Sequence, residues 1–246
     1  MRPPTDTIPA PPFPRDAPWI NVASLRMDKQ IGRPVLLEFF DFCRLNSLKT
    51  LPQIKDWHER YGAAGLRVVS VHCSGFRPSA EPAAVEAAVA RLAIEHPVLV
   101  DQTFALWRDY ENAGWPARYL WDQRGMLAHY HYGEGGYEET EREIQRLLGT
   151  EDAVLAVDPP DDLVPPSADR LEPPWSGPYE AGSVWAVLDG TGDLRVNGRT
   201  RAIEYAGAHR LIEHPHHSTG VLELEPGSGV RCYGVCFEAG RLPASS

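Results

Sequence analysis

The segment Phe39-Phe40-Asp41-Phe42-Cys43-Arg44-Leu45-Asn46-Ser47-Leu48-Lys49-Thr50-Leu51-Pro52 marks the point where an apolar run gives way to helical spacing. Upstream, Val35-Leu36-Leu37-Glu38-Phe39-Phe40 follows Gly32-Arg33-Pro34 and reads as a buried strand. Downstream, Leu45, Leu48, Leu51 and Trp57 recur at helical intervals. The local order is strand, short loop, helix.

The same periodicities, with Gly and Pro as punctuation, predict a strand over 35–40, a helix over 44–61, a strand over 66–72 and a helix over 80–94. A strand over 97–100, a short helix over 104–111, strands over 117–122 and 126–132, and a helix over 137–148 follow. Alternating strands and helices closed by a hairpin and a helix describe an α/β sheet domain.

The central stretch resembles the thioredoxin-like domains of the DipZ/TlpA type, in the AhpC/TSA-redoxin superfamily. Their pattern at this point is an aromatic pair, a Cys-x-x-Cys, then Leu-Arg-Thr-Leu-Pro. Aligned on Asn46, Leu48, Thr50, Leu51 and Pro52, the two redox positions are Arg44 and Ser47, so both redox cysteines are missing. The resemblance continues in Val69-Ser70-Val71-His72-Cys73-Ser74-Gly75-Phe76, similar to the second strand and its exit, and in Trp115-Pro116-Ala117-Arg118-Tyr119-Leu120, similar to the cis-proline segment. Gly133-Glu134-Gly135-Gly136-Tyr137, with Glu138, Glu141 and Ile144, is similar to the last strand-to-helix turn. It spans residues 18–149 and implies a thioredoxin-like fold, with Pro52 as the structural kink of the first helix.

Proline divides the chain. Residues 1–17 form a Pro-rich arm, 18–149 the thioredoxin-like domain, 150–178 a Pro-rich linker, and 179–246 a small all-β domain, sandwich or barrel. In the last, short alternating runs (184–188, 194–196, 201–205, 209–212, 221–224, 230–237) are separated by the turn pairs Asp189-Gly190, Asn197-Gly198 and Pro226-Gly227. DipZ-type proteins also carry a β-sandwich after the thioredoxin domain, an arrangement this one resembles.

The chemistry turns on what replaces the lost dithiol. In a thioredoxin-like fold the first redox position lies at a helix N-terminus, where backbone N–H groups and the dipole favour a thiolate. Cys43 stands one residue before Arg44. If exposed, it is expected to be more acidic than an ordinary thiol, with Arg44 lowering and Asp41 raising its pKa. Cys73 follows the second strand at the same sheet edge, so a Cys43–Cys73 attacker and resolver pair is conceivable, as is a packed, inert Cys73. Cys43, Cys73 and Arg44 are the candidate catalytic residues; Phe42, Ser47, Trp115 and Pro116 are the candidate substrate-binding residues. Ser47 cannot resolve a mixed disulfide.

Cys232 and Cys236, four residues apart in a strand, would place their Cα atoms about 13 Å apart, too far to bridge, and read as buried thiols. His129 and His131 share one strand face, and His209, His214, His216 and His217 cluster around a β-domain loop. No Cys-x-x-Cys or His-Glu-x-x-His accompanies them, so neither a metal nor any other cofactor is expected. Phosphate-loop, dinucleotide, Gly-x-Ser-x-Gly and Pro-x-x-x-Thr-x-x-Cys patterns are also absent.

With 43% hydrophobic residues in 246, the chain can bury a sizeable core, while its formal net charge of −10 without any Lys/Arg block argues against nucleic acid or an anionic membrane as partner. The first residues hold no apolar signal-like run, and the expected location is the cytoplasm. Two functions from different classes fit. One is a thiol-dependent oxidoreductase or peroxide-reactive protein using Cys43, with Cys73 or an external thiol as resolver. The other is a redox-silent binding protein that holds a peptide or small ligand beside Trp115-Pro116, its β domain serving as a second recognition or homodimerisation surface. A third is an enzyme in which Arg44 binds an anionic substrate near Cys43.

Overall fold

Val35–Phe40 is a strand in which all six residues are buried, the pattern of a strand covered on both faces. In a computed structural model describing residues 7–167, 170–173 and 175–243, it is the centre of the first of two units. That unit comprises Met1–Gly75 and Ala80–Asp158; the second comprises Phe76–Ser79 and Pro159–Ser246.

The first unit runs β1 (Trp19–Ile20), β2 (Val35–Phe40), α1 (Leu45–Tyr61), β3 (Arg67–His72), α2 (Pro82–Arg91), β4 (Val98–Val100), α3 (Ala105–Asp109), β5 (Ala117–Trp121), β6 (Leu127–Tyr132) and α4 (Tyr137–Leu148). The sheet order is β1-β4-β3-β2-β5-β6. β2, β3 and β4 are parallel and joined through helices, whereas β5 and β6 return antiparallel. The strands' two-residue period sorts the core into two clusters. Val35, Leu37 and Phe39 join Val69, Val71, Leu99 and Tyr119, with Phe13 and Met27 from the N-terminal region. Leu36 joins Val68, Leu120 and the helical residues Ile54, Trp57 and Ile144. Each buried Leu or Phe stabilises by roughly 1.5–3 kcal/mol, which is why β2 anchors the unit.

The Pro-rich stretches are more engaged than their composition suggests. Residues 1–6 of the arm, and 168, 169 and 174 of the linker, lie outside the described residues. Of the arm, Pro9 bridges Met126, Leu127 N–H donates to Ile8 O, and Phe13 is buried. Of the linker, Leu155 and Ala156 N–H donate to Glu141 Oε2, Arg60 donates to Ala153 O, and Tyr137 N–H donates to Asp158 Oδ1. Within the linker two short strands form, β7 (Leu163–Val164) and β8 (Arg170–Leu171). Two-residue pairings need few N–H donors, so they fit between prolines.

The second unit continues with β9 (Gly177–Gly190), β10 (Gly192–Val196), β11 (Arg199–Ile203), β12 (Gly207–Leu222), β13 (Leu224–Pro226), β14 (Val230–Glu238) and β15 (Gly240–Arg241). These form separate antiparallel sheets, β12-β9-β14-β8, β11-β10-β13 and β15-β7. Asn197 and Gly198 both have positive φ, the geometry of a tight hairpin. The histidine run is not in a loop: His214 to His217 lie within β12, where the register against β9 shifts between Glu213 and Ser218. Cys232 and Cys236 are half-buried, and burial pushes the Cys232 pKa up to about 11. Among the described residues no helix is long and apolar enough to cross a membrane.

Candidate functional site

β2 ends at Phe40, and a four-residue loop leads to α1. Asp41 holds that loop from inside. Its Oδ1 accepts the Cys43 N–H at 2.9 Å, its Oδ2 accepts the Gly75 N–H at 2.8 Å, and its own N–H donates to Ser47 Oγ at 3.2 Å. A fully buried carboxylate with such donors is a structural clamp. His72 Nε2 lies 3.8 Å from Asp41 Oδ1.

This clamp decides where the expected site residues go. Ser47 is fully buried and turned to the Asp41 backbone, and Phe42 is fully buried with its ring stacked on His72 at 5.4 Å. Both were expected to meet a ligand; loop closure over the sheet edge removes both from the surface. Cys43 and Cys73 are 1% and 0% exposed, so the condition for an acidified Cys43, exposure, is not met. Cys73 Sγ donates to Asp101 Oδ2 at 3.6 Å, and burial together with the Asp101 charge pushes its pKa far above the ordinary thiol value. No disulfide joins the cysteines among the described residues.

Arg44 takes the opposite course. It is the extended N-cap residue of α1, half-buried, with its guanidinium 4.2 Å from the centre of the Trp115 ring. Gly75 makes room: a Cβ there would sit 2.5 Å from Arg44 Nε. Trp115 is fixed by its Nε1–H donating to Cys73 O at 3.0 Å and by Trp107, with ring centres 4.3 Å apart. The Trp115-Pro116 peptide bond is cis; Trp115 is half-buried and Pro116 buried. The accessible part of the site is therefore a cation over an indole, not a thiol.

The sheet also buries a charged pair that sequence reasoning passed over. Glu38 and Arg118 are directly opposite on β2 and β5, and both are buried. Burial pushes the Glu38 pKa up to about 8, against the lowering influence of Arg118 and of Ser70, whose Oγ–H points to Glu38 Oε2 at 3.5 Å. Ser70 Oγ also shares a 2.7 Å hydrogen bond with buried His96 Nε2. Arg118 packs against the Tyr137 ring at 4.9 Å and donates to Gly135 O. The visible signal was a lone charge inside each of two otherwise apolar strands. His129 is buried beside Thr140, and His131 reaches Glu134 O. Among the described residues no three His, Cys, Asp or Glu side chains are grouped to hold a metal ion.

This architecture and site define a protein with a thioredoxin-like fold. No protein-family model matches the chain. Its homologues include Protein DipZ of Mycobacterium tuberculosis, 31% identical over 234 residues, covering 85% of this chain and 33% of DipZ. Another is the thiol-disulfide oxidoreductase YkuV of Bacillus subtilis, 28% identical over 141 residues, covering 57% of this chain and 94% of YkuV. Among solved structures, a thioredoxin-like protein in its oxidized form matches with a TM-score of 0.52 at 28% identity, covering 58% of this chain and 97% of that protein. The chain spans about a third of the length of the DipZ proteins it matches.

Proposed function

We propose that the first unit works in thiol–disulfide metabolism as a recognition module, holding an extended segment of a thiol- or disulfide-bearing polypeptide against Trp115 and Arg44. The observation that carries this reading is the fate of the two redox positions: Arg44 is stacked on Trp115 and Ser47 is buried under Asp41. Exchange by the relatives' route needs an accessible thiolate and a second thiol, and neither position supplies one. An indole beside a cation offers an extended peptide both apolar contact and charge. YkuV, an oxidoreductase by name, motivates the kind of partner.

The test is binding of the whole protein to an array of extended Cys-containing peptides, reduced and alkylated, compared with Trp115→Ala. Binding that falls about tenfold in the variant supports the reading; equal binding by both proteins overturns it.

A second reading, thiol-dependent oxidoreductase chemistry through Cys43 with Cys73 or an external thiol as resolver, is favoured by Cys43 lying one residue before the α1 N-cap. It requires the loop to open. It stands or falls on whether native Cys43 reacts with iodoacetamide.

A further inference from the structure

Apart from the first site, the second unit holds a cleft between β11 and β12.

β10 and β11 pair antiparallel with Leu194 opposite Arg201 and Val196 opposite Arg199. Residues directly opposite in such a ladder share a face, and Leu194 and Val196 belong to the buried core of this unit. Arg199 and Arg201 therefore project from the core-facing side of their sheet, where Ile203, two residues on, is buried. They do not enter the core; they line a cleft of about 470 Å³ against β12.

Arg201 Nη1 donates to Arg210 O on β12 at 2.7 Å, which ties the cleft's two sides together. The exposed Arg199 side chain makes no hydrogen bond or ion pair among the described residues, its backbone alone pairing with Val196. His214 lines the same space, held by Tyr179 OH at 2.9 Å, and Tyr179 is in turn stacked on Phe237 at 5.5 Å. Leu211 and Ile212 supply an apolar wall. No Asp or Glu is among the lining residues, an inversion of local charge in a chain of net charge −10. The volume suits a small molecule.

We propose that this cleft binds a small organic carboxylate, whose charged end pairs with Arg199 and Arg201 and whose apolar end lies on Leu211 and Ile212. A guanidinium presents a planar fork of donors that matches a carboxylate, and two of them beside an apolar wall select an anion with a hydrocarbon part over an inorganic ion. The inference is independent of the peptide-recognition reading of the first unit.

The test is a titration of the full chain with hexanoate, followed by amide chemical shifts, alongside hexanol and inorganic phosphate. Saturable shifts at residues 199–201 and 211–214 with hexanoate, and about tenfold weaker binding by Arg199→Gln, support the site. The Arg199 side chain is exposed, and its part in the β10–β11 ladder is made by the backbone, so the variant keeps that pairing, which an otherwise unchanged amide spectrum verifies. Absence of saturable shifts with hexanoate, equal affinity for hexanol or for phosphate, or an unaffected Arg199→Gln protein would each overturn the proposal.

Discussion

Glu38→Gln is the substitution whose consequence follows most directly from the structure. Glu38 is buried in the central strand, and burial raises its pKa from the ordinary 4.5 to about 8. Between those two values the folded chain keeps a proton that the unfolded chain has lost. The folded state therefore binds more protons, and stability falls as pH rises through this window and levels off above it. At about 1.4 kcal/mol for each pH unit, a span of roughly 3.5 units corresponds to about 5 kcal/mol, a ceiling because Arg118 and local relaxation soften the penalty. The amide resembles the protonated acid and cannot ionise. Wild type and variant should match within about 1 kcal/mol near pH ~5, and the variant should be several kcal/mol more stable near pH ~9. Because the chain has two units, unfolding in urea is best followed by hydrogen exchange of peptides covering β2 and β3, which report the first unit alone. Parallel pH profiles for the two proteins would mean that Glu38 is charged and compensated at neutral pH, contrary to this prediction.

Two further outcomes are expected. Glu141→Ala removes the acceptor of Tyr61 OH, of Arg60 and of the Leu155 and Ala156 N–H groups; a loss of about 3 kcal/mol and faster proteolysis within residues 153–158 should follow, while unchanged proteolysis would show that other contacts hold this segment. In native protein, iodoacetamide should modify Cys43 and Cys73 only as fast as the first unit opens, so that mild urea accelerates both together, because each is at most 1% exposed. Rapid alkylation of Cys43 alone, with an apparent pKa below the ordinary ~8.5, would instead favour the oxidoreductase reading.

Most elements of the first unit were legible because its strands and helices obey single periods. Val35–Phe40 is uniformly apolar but for Glu38, and α1 repeats its leucines at helical spacing, so burial and local propensity agree. The missing Cys-x-x-Cys needed only the sequence, as did the turn at Asn197-Gly198. The histidine run was misread because Pro215 and adjacent polar residues mimic a turn, whereas β12 absorbs them as an irregularity against a long partner strand.

Residue order alone sets the covalent possibilities: which thiols exist, where helices and strands can start, and that no dithiol stands at the α1 N-terminus. Which groups meet depends on the folded chain. Asp41 clamps Cys43, Ser47 and Gly75 together, Arg44 reaches Trp115 from 71 positions away in the numbering, and Glu38 faces Arg118 across the sheet. Burial and long-range pairing depend on register and on closure of the loop over the sheet edge. Local periodicity carries neither.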